Sequence, residues 1–275
     1  MIYLKSVSLK GPPDQKADSS FPFSIPAIRS LRAIEFPSPV TFFVGENGSG
    51  KSTFMEALAI ATKSIAVASE SIEQDRTLDE QRILAARFKT TWSKRTHKGF
   101  FLRAEDFFGF AKRLSRERAE LRERLRELDQ EYRAKDRSEL ALGLASLPAR
   151  SSLAEMTKRY GENLDANSHG ESFLKLFSSR VVPGGLYLLD EPEAALSPQS
   201  QLGFIALVNE MVAEDSQFVI ATHSPILLAL PGAAIYSFDE VPVARVPYEE
   251  LEHVNLTRAF LTNPERFLRL LGARD

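Results

Sequence analysis

Residues 45–53 have the types and spacing of a loop that binds phosphate. They read GENGSGKST, which fits the pattern G-x-x-x-x-G-K-S. Glycines allow consecutive backbone N–H groups to turn toward one anion, and the N-terminus of a following helix adds partial positive charge. In such a loop the lysine reaches the terminal phosphates and the serine hydroxyl binds Mg²⁺. The nucleotide-binding residues predicted here are Gly45, Asn47, Gly48, Ser49, Gly50, Lys51, Ser52 and Thr53.

Two adjacent carboxylates end a continuous apolar run, LYLLDE at 186–191. The run predicts a buried strand, and a carboxylate at its tip suits the Mg²⁺ that Ser52 would hold. Asp190 is therefore predicted to be a metal ligand. Glu191 is expected to point elsewhere, because consecutive strand residues face opposite sides of a sheet. From there it can act as general base on an attacking water, although an exposed acidic loop is the alternative.

A histidine follows a second apolar strand, predicted at 218–221. The end of a strand in a parallel sheet faces the ligand crevice. We expect His223 to contact the γ-phosphate and the attacking water, and therefore predict a catalytic role for it beside Glu191 and Lys51. The alternative is a structural or exposed loop histidine.

The elements that must position these residues alternate between strands and helices. Strands are predicted at 2–9, 28–36 and 40–44, a helix follows the phosphate loop, and 87–110 has the pattern of a β segment. From residue 171 onward helices and strands alternate regularly. This order is typical of an α/β fold with a mostly parallel, helix-covered sheet, preceded here by antiparallel strands.

A charged segment interrupts the alternation. Residues 111–137 predict an amphipathic helix of about 25 residues, rich in Arg and Glu and with a leucine stripe on one face. We interpret 1–275 as a single domain with a charged helical insertion at about 70–165. The helix has three interpretations: a solvated helix packed through its leucines, a partner or dimer helix, or a nucleic-acid contact.

Composition limits the class of protein. The 275 residues include 35 Lys+Arg, 37 Asp+Glu, four His and no Cys, so disulfides and thiolate metal sites are excluded. A net charge of −2 gives no global attraction to nucleic acid. No apolar run approaches the roughly 20 residues of a membrane span, and the first residues lack a signal-peptide pattern. These features predict a cytoplasmic protein.

The three motifs, in this order, resemble those of the ATP-binding-cassette (ABC) ATPases. Walker A corresponds to 45–53, Walker B to 186–191, and His223 to the switch histidine. NSHGES at 167–172 lies where that superfamily carries its leucine-serine-glycine-glycine-glutamine signature, with Ser168 and Gly170 matching. The resemblance implies that these two residues bind the γ-phosphate of ATP held by the other subunit.

The sequence departs from the superfamily pattern in several places. The signature has Asn167, His169 and Glu171 in place of leucine, the first glycine and glutamine. Ser197 stands where the D-loop normally ends in aspartate. The strand predicted at 100–103 is followed by Glu105 rather than by the expected glutamine, and we take Glu105 as a candidate ligand of Mg²⁺ through water. Gln81 is a weaker candidate for that glutamine, and Arg103 is expected to pair with a carboxylate rather than to contact phosphate.

Longer segments are similar to a family of small, stand-alone bacterial ATPases of ABC type. These segments are KGFFLRAEDFF, LYLLDEPEAALSPQ, QFVIATHSPILLALPGAAIYSF and NPERFLRLL. The similarity implies a P-loop NTPase fold of ABC-ATPase type, with ATP and Mg²⁺ as cofactors. It implies little about the biological role.

The sequence predicts an ATPase that works as an ATP-dependent head-to-tail homodimer on another macromolecule, with DNA repair or defence as candidate processes and a protein or DNA partner. The alternatives are the nucleotide-binding subunit of a membrane transporter and an ATP-gated scaffold without turnover. A GTPase is disfavoured because no Asn-Lys-x-Asp guanine reader is present. A P-loop kinase would transfer phosphate to an acceptor other than water.

Overall fold

The computed structural model describes residues 1–11, 20–66, 78–160 and 169–272. Its strands are β1 (Leu4–Leu9), β2 (Ile34–Glu35), β3 (Val40–Val44), β4 (Ile65–Ala66), β5 (Phe88–Trp92), β6 (Phe100–Arg103), β7 (Leu186–Asp190), β8 (Gln217–Ala221), β9 (Ala234–Ser237) and β10 (Ala244–Arg245). Its helices are α1 (Pro26–Arg29), α2 (Lys51–Thr62), α3 (Asp79–Arg87), α4 (Ala104–Ala134), α5 (Glu139–Tyr160), α6 (His169–Arg180), α7 (Pro198–Ala213), α8 (Pro225–Leu228), α9 (Glu252–Thr262) and α10 (Pro264–Leu270).

A seven-stranded sheet forms the centre of the fold, in the order β10-β9-β3-β8-β7-β6-β4. Its strand pairs are parallel except for β10 with β9 at one edge. Parallel strands bring their carboxyl ends to one edge of the sheet, so the segments after β3, β7, β8 and β9 lie side by side. The predicted α/β fold with a mostly parallel sheet is confirmed.

A smaller antiparallel sheet, β2-β1-β5, lies beside the large one. The fully buried side chain of Gln217, at the start of β8, connects the two. Its Oε1 accepts from the backbone N–H groups of Tyr3 and Leu4 at 2.8 and 2.9 Å, and its Nε2 donates to the Leu4 carbonyl at 2.9 Å. A buried amide thus supplies hydrogen-bond partners for the backbone at the start of β1.

Each face of the large sheet is covered by its own apolar core. On one face α2 packs Phe54, Met55 and Leu58 against strand residues that include Phe43. On the other face α6, α7 and α8 cover a core that includes Phe42 and Tyr187. Strands buried on both faces read as continuous apolar runs, which explains why β3, β7 and β8 were recognisable in the sequence.

Two predicted strands are corrected by the structure. Residues 28–36 are not one strand, because α1 occupies Pro26–Arg29 and only Ile34–Glu35 is extended. Pro26 stands in the first turn of α1, where its fixed φ suits a helix start. The predicted β segment at 87–110 contains β5 and β6, but helix begins at Ala104.

The segment predicted as a helical insertion, 70–165, contains strands as well as helices. Both β5 and β6 lie within 70–165, yet β5 pairs with β1 and β6 lies between β4 and β7 in the large sheet. The helices of this segment are α3, which packs against α2, and α4 and α5, which pack against each other. Within the described ranges, no helix is long and apolar enough to span a membrane.

Candidate nucleotide site

Four segments converge at the carboxyl edge of the large sheet. The loop 45–50 follows β3 and leads into α2, and 191–197 follows β7. Residues 222–224 follow β8, and the turn after β9 contains Asp239. Backbone hydrogen bonds between neighbours, such as Glu191 N–H to the Ala221 carbonyl at 2.9 Å, hold these segments in register.

The phosphate loop depends on glycines with positive φ. Gly45, Gly48 and Gly50 have φ of 147°, 85° and 102°. A Cβ on Gly45 would lie 2.8 Å from the Ser49 hydroxyl, and one on Gly50 would lie 2.9 Å from a methyl group of Ile25. Gly50 is the N-cap of α2, so the loop opens directly onto the N-terminus of that helix. Exposed N–H groups with this backbone shape bind anions.

Lys51 is buried beneath this loop, only 4% exposed. Its Nζ donates to the carbonyl oxygens of Gly45 and Glu46 at 2.6 and 3.0 Å. Burial lowers the pKa of the ammonium group, while the negative charges of Glu191 and Asp190 oppose that change. The ammonium group is therefore fixed beneath the loop, where it can form a charge-assisted hydrogen bond to a phosphate oxygen.

Asp190 ends β7 next to the start of α2, and the Ser52 side chain hydrogen-bonds to it. Burial raises the pKa of this carboxyl to about 7, which the Ser52 hydrogen bond partly opposes. Among the described residues nothing pairs with its buried Oδ1. A serine hydroxyl next to an unpaired carboxylate oxygen fits Mg²⁺, which takes few protein oxygens and completes its shell with water and phosphate. In the same part of the chain no cluster of three or more His, Asp or Glu ligands forms.

Glu191 lies just beyond β7 in the left-handed region, with φ of 51° and ψ of 49°. We expected alternation along the strand to set the direction of the Glu191 side chain. That reason is wrong, because the backbone turns after Asp190. Its Oε1 lies 3.6 Å from Nε2 of His223, and both side chains are about 40% exposed. A non-glycine residue with this conformation is uncommon and is often found at functional sites.

Two carboxylates that were not predicted from the sequence accept hydrogen bonds from the backbone of these loops. Glu193 accepts the backbone N–H of His223 at 2.6 Å, and burial raises its pKa. Asp239 accepts the backbone N–H of Glu46 at 2.8 Å. The position of Glu193, two residues after the predicted base, was the available signal for the first, whereas Asp239 follows a strand without a recognisable motif.

Other predicted residues are placed differently. Ser168 lies outside the described residues, while Gly170 lies in the first turn of α6. Glu105 lies in the first turn of α4, and its side chain is outside the described part. Arg103 pairs with Glu56 at 3.1 Å, which confirms the expectation that it binds a carboxylate.

Several buried polar atoms at the sheet edge have no hydrogen-bond partner among the described residues. They are Ser49 Oγ, Asp190 Oδ1, Glu193 Oε2 and His223 Nε2. Buried polar groups are almost always hydrogen-bonded, so these atoms are candidates to contact a polar ligand.

Family comparison agrees with this geometry. An AAA-domain family model, whose description also refers to the AbiEii toxin of type IV toxin–antitoxin systems, matches residues 80–229. The chain belongs to this AAA-domain family. A second AAA-domain model matches residues 23–76, which include the phosphate loop. Together the two AAA-domain matches account for residues 23–76 and 80–229. Among curated proteins, none matches this chain in sequence.

Several solved structures are similar to the chain. A head domain of Smc from Pyrococcus furiosus, bound to the C-terminal domain of ScpA, has 13% identity and a TM-score of 0.45, with 95% of this chain and 100% of that chain covered. A nucleotide-free ATP-binding cassette from an ABC transporter has 16% identity and a TM-score of 0.43, covering 96% and 97%. The Smc head domain from Thermotoga maritima has 17% identity and a TM-score of 0.42, covering 90% and 99%.

Proposed function

We propose that the chain binds ATP at 45–53 and hydrolyses it to ADP and phosphate. The observation that carries this proposal is the set of buried, unpartnered polar atoms around a glycine loop and a buried lysine. Backbone N–H groups, the N-terminus of α2 and Lys51 together make a cradle for the β- and γ-phosphates. The guanine-reading motif is missing from the sequence, so adenine is the base assigned.

Mg²⁺ would be held by the Ser52 hydroxyl and Asp190, and Glu105 is a further candidate ligand. The ion would offset the negative charge of the phosphates when bound. The chain's own contribution is to keep Asp190 buried and aimed, with one carboxylate oxygen on Ser52 and the other without a partner.

Glu191 is the proposed general base. It would accept a proton from water as the water oxygen attacks the γ-phosphorus, and the bond between that phosphorus and the β–γ bridging oxygen would break. His223, 3.6 Å from the carboxylate, would orient the water and the γ-phosphate. The Glu193 carboxylate, which holds the backbone of His223, would fix that orientation.

The functional form is proposed to be a head-to-tail dimer that acts on another macromolecule. The packing of α6 supports this, because α6 covers the face of the sheet opposite α2. Gly170, in the first turn of α6, would therefore act with Ser168 on the nucleotide of the other subunit. Since ATP would bind the dimer more tightly than the monomer, ATP would also drive dimerisation.

The test measures phosphate release and light scattering on the same samples. Glu191→Gln should bind Mg·ATP but hydrolyse it about 100-fold more slowly, which is the scale of lost general-base catalysis. This variant should dimerise with Mg·ATP and dissociate with Mg·ADP. Adding Ser168→Arg should prevent dimerisation without loss of ATP binding.

Each component can fail separately. Turnover of Glu191→Gln at the normal rate would assign the base to another residue. Dimerisation of the Ser168→Arg double variant would refute the signature-loop assignment. Full-rate hydrolysis by a monomer at nanomolar concentration would refute the shared site.

A further inference from the structure

A strongly basic segment lies between two acidic residues, Glu80 and Glu105. The 24 residues between them include seven Lys or Arg and no Asp or Glu. The whole chain has 35 Lys+Arg and 37 Asp+Glu, so acidic residues elsewhere offset the positive charge of this segment. A local excess of positive charge attracts a polyanion even when the net charge of the protein is close to zero.

Four of the seven side chains form what we call the basic surface: Lys89, Lys94, Arg95 and Lys98. All four are exposed, and none has a carboxylate partner among the described residues. Of the other three, Arg82 and Arg103 form ion pairs and Arg87 lies over the ring of Phe23. The exposed cations are therefore available to an external anion.

Lys89 lies on β5, the outer strand of the small sheet. Its register partner on β1 is Ser8, and two residues further along β5 Thr91 lies opposite Ser6. Side chains of directly opposed residues share one face of an antiparallel sheet, so Lys89 shares its face with three hydroxyl groups. Lysine and hydroxyl side chains are groups that commonly contact phosphate oxygens.

The loop between β5 and β6 carries the other three cations. Thr96 Oγ1 donates to the Gly184 carbonyl at 2.9 Å. Lys98 Nζ donates to the adjacent Pro183 carbonyl at 3.1 Å. Gly184 precedes β7, and the far end of β7 is at the nucleotide site. The basic surface therefore lies at the opposite end of β7 from the phosphate loop.

Acidic residues near the basic surface are fewer than its cations. Asp215, in the turn before β8, pairs with the amino-terminal ammonium group at 3.1 Å. The exposed Glu214 lies beside the loop, because its carbonyl accepts the Gly184 N–H at 3.1 Å. Glu35 is on β2, which β1 separates from β5. A net positive charge therefore remains.

The spacing of the cations suits a regular row of phosphates. Lys98 is nine residues after Lys89, and nine residues of extended chain span at most about 32 Å. One turn of a nucleic-acid duplex is about 34 Å long, and duplex DNA has one phosphate charge for about every 1.7 Å of its axis. All four cations can thus reach phosphates within a single turn.

The rest of the surface favours a duplex over other anionic partners. From residue 84 to 103 no large apolar side chain is exposed, and Trp92 packs against the core. Membrane-binding and protein-binding surfaces usually present apolar or aromatic side chains, and single strands are bound by stacking on aromatic rings. Interfaces with duplex DNA are instead polar and positively charged.

We propose that the basic surface binds the phosphate backbone of a duplex nucleic acid without sequence preference. The inference rests on the proposed function only in that it names the macromolecule on which the chain acts. Contacts with phosphate fix the position of a duplex but carry no sequence information. Because this surface is remote from the phosphate loop, ATP and the duplex can be bound together.

The experiment measures fluorescence anisotropy of labelled duplexes of about 20 base pairs, roughly two helical turns. A DNA duplex and an RNA duplex are titrated with the chain at about 50 to 200 mM salt. Both should bind, and the tighter one identifies the natural duplex. The variant with Lys89→Gln, Lys94→Gln, Arg95→Gln and Lys98→Gln should bind at least tenfold more weakly. The slope of log affinity against log salt should fall by about 3 to 4, since each lost phosphate contact removes nearly one unit.

The matched control removes the same amount of charge from α4, through Arg124→Gln, Arg126→Gln, Arg133→Gln and Lys135→Gln. Each of these cations pairs with a carboxylate of the same helix. The control should keep the salt slope of the parent. An equal loss of slope in both variants would overturn the inference, because binding would then depend on net charge alone.

Phosphate release without nucleic acid and the thermal midpoint should be unchanged in the basic-surface variant, which shows that it is folded. The inference is overturned if the parent binds neither duplex at low salt. It is also overturned if the parent binds phosphatidylserine vesicles or a single strand more tightly than a duplex. Absence of ATP hydrolysis by the parent, with duplex binding intact, would overturn the proposed ATPase function alone.

Discussion

Charged side chains along the outer half of α4 have ion-pair partners, whereas some of those at the carboxyl edge of the large sheet have buried atoms without one. On α4 they pair within the helix: Arg126 with Glu123 at 3.0 Å, and Arg133 with Asp129 at 3.0 Å. These pairs are exposed. At the sheet edge Asp190 and Glu193 each keep, among the described residues, one buried carboxylate oxygen without a hydrogen-bond partner. The exposed charges are already paired and hydrated, so they need no ligand. The buried unpaired atoms carry a desolvation cost that a ligand would relieve.

The comparison also bears on the three interpretations of the charged helix. Leu114 and Leu128 are buried, and α4 packs on α5. The paired charges of the exposed face leave little excess positive charge for nucleic acid. Both observations favour a solvated helix that packs through its leucines.

Lys51→Ala should produce the largest effect of any single change at the sheet edge. It removes the buried cation whose ammonium group lies against the Gly45 and Glu46 carbonyls. We expect no measurable ATP binding by isothermal titration. Retained affinity would remove the basis for treating the edge as a nucleotide site.

Asp190→Asn should stabilise the ligand-free protein, since it removes a buried charge. The carboxyl has a pKa of about 7 when folded against 3.8 for an ordinary aspartate, so the folded state binds more protons between these values. Stability of the parent therefore falls as pH rises from about 4 to 7. The variant should gain about 4 kcal/mol at pH 8 and almost nothing at pH 4. Urea unfolding at both pH values measures the difference, and an equal gain at both would contradict the assignment.

Gly50→Ala should destabilise the protein by about 1 kcal/mol, because alanine disfavours positive φ. Its matched control lies on α4. Gly109→Ala is in a helix, where an added Cβ meets nothing within 4 Å, and it should be mildly stabilising. Thermal unfolding of the two variants should shift in opposite directions; a midpoint for Gly50→Ala at or above that of the parent would show that the loop glycine is not conformationally required.

Replacing Glu123 and Arg126 together by glutamine should have the smallest effect. An exposed pair within one helix contributes less than about 0.5 kcal/mol. We expect unchanged ATP turnover and a denaturation midpoint close to that of the parent. A large loss of either would mean that α4 is involved in the site after all.

The sequence predicted the parts of this site that carry their own pattern. The phosphate loop, Asp190 and His223 follow apolar runs that could only be buried strands, so the sheet edge could be inferred from spacing. Asp239 could not be found in that way. Its role depends on a contact with Glu46, which lies 193 residues earlier in the chain, and no motif precedes it.

Local errors had a similar origin. The segment 28–36 contains enough apolar residues for a strand, but its side chains serve the packing of α1 under the phosphate loop, where Ile25 and Ile28 lie closest to Gly50. The β segment predicted at 87–110 extended too far, because α4 begins at Ala104. In 28–36 tertiary packing decided the structure over the local pattern.

The buried amide of Gln217 links the opening kinetics of the two sheets. The N–H groups of Tyr3 and Leu4 are bonded to a side chain of β8 rather than to the small sheet alone. They can exchange with deuterium only when β1 leaves β8 or when the large sheet itself opens. Deuterium uptake at two residues near the amino terminus would therefore report the integrity of the strand that precedes His223.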